Sequence, residues 1–112
     1  MLLRVNLAPG FALGPGKADL LEGIRDTGSI AATSRRMRMS YKRAWQLVEQ
    51  LNRGFRTPLV EATRGGSGGG GARLTRTGEG VLARYTRMRA VTAAAIAADL
   101  AALRRQLPPR SR

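Results

Sequence analysis

The residues from Gly28 to Trp45, GSIAATSRRMRMSYKRAW, and those from Arg64 to Thr75, RGGSGGGGARLT, decide how this 112-residue chain folds. In the first stretch Ser29 and Ser40 each stand before a run of helical spacing, where a side-chain oxygen can accept the unpaired N–H groups of a first turn. Ser29 therefore predicts a short helix to about Met37. Ser40 predicts a second helix on which Ala44, Val48, Leu51 and Phe55 recur every three or four residues as one apolar stripe. In the second stretch six of the seven residues from Gly65 to Gly71 are glycine, flanked by the strand-like segments Leu59–Ala62 and Ala72–Thr75. Together they predict a helix-turn-helix followed by a β-hairpin wing.

The flanks complete that plan. Leu3, Val5 and Leu7 share one face of an extended segment that Pro9-Gly10 ends, so an N-terminal strand is expected. Lys17 to Asp26 places Leu20, Leu21 and Ile24 at helical spacing, with Gly28 as its stop. Thr77 reads as the cap of a last helix from Gly78 to Leu107, about 45 Å long at 1.5 Å per residue. Its stripe, Val81, Tyr85, Met88, Thr92, Ile96, Leu100, Leu103 and Leu107, fits a plain amphipathic helix better than a strict heptad. So long a helix cannot bury its whole stripe on so small a domain. Tyr85, Met88, Thr92, Ile96, Leu100 and Leu103 are accordingly expected to pair with a second copy, the alanines of the distal half allowing close approach. The expected fold class is mainly α with a small β-hairpin: a winged helix-turn-helix over residues 1–76, continued in the same domain by a dimerisation helix and basic tail over 77–112.

Charge points to the partner. Twenty Lys and Arg against seven Asp and Glu leave +13, the counterpart of a polyanion. From Arg35 to Arg76 ten basic residues meet two acids, so +8 of that excess lies where the two motifs lie. With no Cys and no His, the usual zinc sites, thiol nucleophiles and imidazole bases are absent, which argues against an enzyme and against a metal or other cofactor. No Gly-Lys-Ser/Thr follows the glycines, so a Walker A phosphate loop is excluded. MLLRVNLAPG is too short and too broken by Arg4 and Asn6 for a signal peptide, and Ala93–Leu103 is too short to span a bilayer. A cytoplasmic protein without a membrane partner is expected.

The candidate DNA-binding residues follow from these elements. Lys42, Arg43 and Gln46 lie on the polar face of the Ser40 helix, and Arg and Gln suit guanine and adenine edges by bidentate geometry. Tyr41 can meet the sugar-phosphate backbone or pack under the wing. Trp45, alone beside the apolar stripe, is read more readily as core than as contact, with both open. Arg35, Arg36 and Arg38 can clamp phosphates, as can the N–H groups after Ser29. Arg64 and Arg73 stand at the base of the wing, whose small tip around Ser67 can approach the backbone closely.

These residues carry a resemblance. GPGKADLLEGIRDTGSI, MSYKRAW, LV, GGSGGGGARLT and TGEG, spanning about Leu2 to Tyr85, resemble the N-terminal domain of the ModE-type molybdate-responsive transcription regulators, a winged-helix group distantly similar to the LysR-type regulators. The resemblance implies a dimer that binds double-stranded operator DNA and controls molybdenum uptake and cofactor genes. It makes the Ser40 helix, with Tyr41, Lys42 and Arg43, the recognition helix, and Arg64–Arg73 the wing. Two departures stand out. Full-length members carry C-terminal oxyanion-binding domains, whereas this sequence ends at Arg112, so molybdate sensing is expected to reside in a separate molybdate-binding protein or to be absent. The family's turn usually carries Gly where Arg38 stands, and its small second-helix residues are Thr33 and Ser34 here. Arg38 must therefore tolerate a turn conformation that glycine adopts freely, such as a positive φ, and either a slightly altered turn or an added phosphate contact is expected. Two other classes compete: an architectural, sequence-neutral nucleoid protein, and a small oxyanion sensor built on the glycine loop and its arginines.

Overall fold

The structure, a computed structural model, describes residues 1–63 and 71–110. Its elements are β1 (Val5–Ala8), β2 (Phe11–Leu13), α1 (Pro15–Thr27), α2 (Ile30–Arg36), α3 (Tyr41–Gly54), β3 (Val60–Thr63), β4 (Gly71–Leu74) and α4 (Arg76–Arg105). The predicted winged helix-turn-helix is therefore present. The sequence reading saw one N-terminal strand where the chain forms a hairpin. Pro9-Gly10 is its two-residue turn, with Ala8 facing Phe11 and Val5 facing Leu13. Only three residues long, β2 is too short to announce itself by alternation. A register shift between Asn6 and Ala8 also leaves Leu7 exposed rather than on the face of Leu3 and Val5.

Local chemistry explains the helix ends. Gly28 takes φ +71°, the left-handed region open to glycine, and its N–H donates to the Ile24 carbonyl to close α1. Ser29 Oγ accepts from the Ala32 N–H, and Ser40 Oγ accepts from the Arg43 N–H, both as expected. α4 starts earlier than its sequence suggested, because Thr75, not Thr77, is the cap. Thr75 Oγ1 accepts from the Gly78 N–H and donates to the Pro58 carbonyl, so one side chain closes the helix and ties it to the chain before β3. Thr77 sits in the first turn, where it accepts a hydrogen bond from Thr57.

The core is a single cluster drawn from most elements: Leu20, Leu21 and Ile24 of α1, Ala44, Leu47, Val48 and Leu51 of α3, Leu59, Val60, Ala72 and Leu74 around the wing, and Leu82 and Tyr85 of α4. α4 reaches it because Gly78 has no side chain; a Cβ there would lie 2.1 Å from the Leu59 carbonyl oxygen. Tyr85 is 2% exposed, and its hydroxyl donates to the Leu3 carbonyl at 2.7 Å, pinning the N-terminus to α4. The N-terminal hairpin is held at the other end by Phe11, edge-on to Phe55 with ring centres 5.4 Å apart.

Asn52 joins α3 to the β3–β4 hairpin. Its Oδ1 accepts from the N–H groups of Leu59 and Val60 at 2.9 and 3.0 Å, and its Nδ2 donates to the Val60 carbonyl at 3.0 Å. All three backbone groups would otherwise be left in a partly buried place without partners. Asn52→Ala is expected to lower unfolding free energy by about 2–4 kcal/mol, since each stranded polar group costs roughly 1–3 kcal/mol. Urea denaturation measures it, and a loss below about 1 kcal/mol would show that water replaces the side chain.

Candidate nucleic-acid interface

α3 turns its apolar stripe inward and presents three kinds of outer surface. At 3.6 residues per turn, Lys42, Gln46, Glu49 and Arg53 lie opposite the buried Ala44, Leu47, Val48 and Leu51. Tyr41, Trp45 and Asn52 form the flank toward the wing, and Arg43 and Gln50 the flank toward the N-terminal hairpin. Lys42, Arg43 and Gln46 are exposed, as is Tyr41. Trp45 is 46% exposed, so the core placement favoured by its neighbours does not hold. The inward arc of α3 is already filled by Ala44, Leu47, Val48 and Leu51, and Trp45 lies just outside it.

Ion pairing sorts the cations. Arg53 pairs with Glu49 at 2.7 Å, and Arg73 pairs across the hairpin with Glu61 at 2.7 Å, the residue opposite it in register. Arg36, one of the three arginines that can clamp phosphate, pairs with Asp26 at 3.1 Å and approaches Glu22 at 3.9 Å. Hydrogen bonds from Arg25 and Arg36 hold the Asp26 carboxyl below its ordinary pKa. A depressed carboxyl pKa makes this stabilisation present at neutral pH, with its loss beginning as pH falls through the ordinary carboxylate range. Arg35, Arg38, Lys42 and Arg43 form no ion pair among the described residues, so four cations converge on α2, the turn and the start of α3.

Arg38 carries the turn between those helices. It has φ +57°, the positive value expected of a residue standing where glycine is usual, and no other described non-glycine residue shares that sign. Its N–H donates to the Arg35 carbonyl, and the next N–H, of Met39, to the Ser34 carbonyl. The side chain is exposed. The Ser29 and Ser40 hydroxyls are each occupied as acceptors in capping, so their position matters more than free hydroxyl chemistry. Arg64 and Ser67 lie outside the described residues.

Asn52 was missed from the sequence, its only signal being a polar side chain beside the apolar stripe. The exposed Arg56 and Arg76 were not singled out either. The expected dimer residues divide. Tyr85 belongs to the core of its own chain, so its side chain is not offered to a partner. Met88 and Leu103 are exposed, while Thr92, Ile96 and Leu100 are partly exposed along the same face.

Residues 18–79, from α1 to the first turn of α4, match the bacterial regulatory helix-turn-helix proteins of the LysR family. The chain belongs to that family. Among its relatives are the molybdenum-pterin-binding protein MopA of Rhodobacter capsulatus, 41% identical over 74% of this chain and 31% of MopA. The transcriptional regulator ModE of Yersinia pestis is 39% identical over 76% of this chain and 32% of its own length. The DNA-binding transcriptional dual regulator ModE of Escherichia coli K12 is 36% identical over 76% of this chain and 32% of its own length. The chain thus aligns with about a third of the length of these curated relatives, and the resemblance seen in MSYKRAW and the glycine-rich wing extends to whole-segment identity. No helix among the described residues is long and apolar enough to cross a membrane.

The left-handed backbone of Arg38 has a measurable consequence. A non-glycine residue there costs about 1–2 kcal/mol, of which glycine's greater unfolded-chain entropy returns about 0.5–1 kcal/mol. Arg38→Gly is expected to raise unfolding free energy by about 0.5–1 kcal/mol. Thermal denaturation checks this, and a destabilised variant would mean that the arginine side chain makes a stabilising contact.

Proposed function

We propose that this chain is the sequence-reading part of a ModE-like transcription regulator that binds double-stranded DNA as a homodimer. The observation that carries the reading is the pairing of an exposed polar helix face with unpaired cations at its start and a hairpin fastened beside it. Lys42, Arg43 and Gln46 read base edges in the major groove, where donors of this kind distinguish the four base pairs. Arg35 and Arg38 hold phosphates, as do the backbone N–H groups around Ser29 and Ser40, while Tyr41 flanks the groove. Arg64, Ser67 and Arg73, all in the wing segment of the sequence, are assigned to contacts with the adjoining backbone. The names of the relatives tie them to molybdenum, which supports genes of molybdenum uptake or molybdoenzyme assembly as targets.

Dimerisation is proposed through the distal half of α4. The face that Gly78, Leu82 and Tyr85 turn to their own core continues through Met88, Thr92, Ile96, Leu100 and Leu103, beyond the reach of the rest of the chain. A second copy of this helix would cover it, and two recognition helices would then meet successive major grooves of a pseudo-palindromic site.

Selection of bound fragments from random duplex DNA at near-physiological salt tests the reading. A palindromic consensus bound about 1,000-fold or more above bulk DNA is expected; recovery of no consensus would favour a sequence-neutral architectural protein. Lys42→Ala and Arg43→Ala are expected to relax the consensus, whereas Arg35→Ala weakens all sequences alike and lowers the salt slope by about one. Equal effects from both kinds of variant would count against the groove assignment. In sedimentation, Leu100→Glu is expected to convert dimer to monomer, and an intact dimer would place the interface elsewhere.

A further inference from the structure

Between α3, the start of α2 and the wing lies a cleft of about 450 Å³. Its α3 wall is aromatic: Tyr41 and Trp45, one turn apart, are 55% and 46% exposed. The opposite wall is formed by Ile30 and Ala31 with Val60 and Ala62 of the wing. Two large exposed rings over small apolar side chains do not serve the core, which is complete without them. Ser29, Asn52, Glu49 and Glu61 of the lining are occupied by the cap, the clip and the ion pairs described above, whereas Tyr41 and Trp45 take part in none of them.

Resting on the DNA-binding reading, we infer that Trp45, with Tyr41 beside it, is a specificity-determining contact that receives the C5-methyl group of a thymine in the major groove. Position supports this occupant first. Residues four apart on a helix are neighbours, so Tyr41 and Trp45 form one shelf, and Lys42 and Gln46 follow them immediately around the helix. A helix that brings Gln46 to an adenine edge brings the adjoining shelf to the thymine of the same or the next pair. Only thymine carries a methyl group in that groove, and apolar side chains distinguish it.

Charge excludes the obvious competitor. Arg35, Arg38, Lys42 and Arg43, on α2, the turn and the start of α3, attract the duplex, whereas the charged residues that line the cleft among the described residues are Glu49 and Glu61. These carboxylates are held by Arg53 and Arg73, so the described lining of the cleft is close to neutral and offers no cation to a phosphate. Apolar ring faces in a neutral cleft, inside a basic rim, fit an uncharged apolar group carried by a polyanion. Thymine methyl is that group.

The test uses the intact chain and the fragment recovered by selection with wild-type protein. Replacing each thymine by uracil removes only the methyl group. Wild type is expected to lose about three- to fivefold in affinity at one position of each half-site, the change that burying one methyl group produces. Trp45→Ala is expected to bind both forms equally there, with the preference for thymine at that position lost in its own selection. Trp45→Phe, which keeps an aromatic face, should retain part of the discrimination. Because the chain has a single tryptophan, its emission reports this position directly, and saturating duplex is expected to protect it from acrylamide quenching. Unchanged thymine-to-uracil ratios in a folded Trp45→Ala protein, or unprotected emission in the complex, would overturn this inference and leave the DNA-binding reading standing. Failure of wild type to recover any consensus would overturn both.

Discussion

The arrangement of α3 and the wing, on which the proposed DNA-binding surface depends, rests on the carboxamide of Asn52. A helix and a two-stranded hairpin have no intrinsic reason to hold a fixed angle, and the hairpin by itself would be marginal. Asn52 supplies both a donor and two acceptor contacts to the backbone at Leu59 and Val60, so the first residues of the wing are bound to α3 by geometry as well as by packing. An amide side chain suits this, because its oxygen accepts while its nitrogen donates from the other arm of the same planar group. The cleft between helix and wing, with its aromatic shelf, exists because that joint is rigid.

Charge is distributed in the same disciplined way. Glu22, Asp26, Glu49 and Glu61 pair with Arg25, Arg36, Arg53 and Arg73, and Arg35, Arg38, Lys42 and Arg43 are without carboxylate partners among the described residues. Surface ion pairs of this kind add little to stability. Their effect is to leave the turn and the first turn of α3 positive, while the described flank facing the wing is nearly neutral. Arg38 shows a local cost accepted at the same place. It holds a backbone conformation suited to glycine and puts an exposed guanidinium beside the recognition helix.

α4 links this surface to assembly. Its first turns are part of the core through Gly78, Leu82 and Tyr85, and the hydroxyl of Tyr85 carries the N-terminal segment with it. The distal half extends the same apolar face away from the domain. In the proposed dimer, one continuous helix therefore sets the separation of the two recognition helices, because little bending is available between its buried and its projecting halves.

Much of this was legible in the residues. Caps at Ser29 and Ser40, the stop at Gly28, the stripe on α3 and the glycine-rich hairpin are local signals whose physics acts within a turn or two, and they define the winged helix-turn-helix. The positive φ at Arg38 was legible by resemblance. Three things were not. The second N-terminal strand is too short for periodicity, the cap of α4 lies two residues earlier, at Thr75, which also bonds the Pro58 carbonyl, and the ion pairs of Arg36 reach back to Asp26 and Glu22 of α1. Trp45 and Tyr85 make the division plain. Each is a large aromatic beside an apolar stripe, and the sequence determined that much. Which of them is buried was decided only when α3 and α4 met the remaining elements: a side chain's burial depends on what faces it, and those neighbours lie far away along the chain.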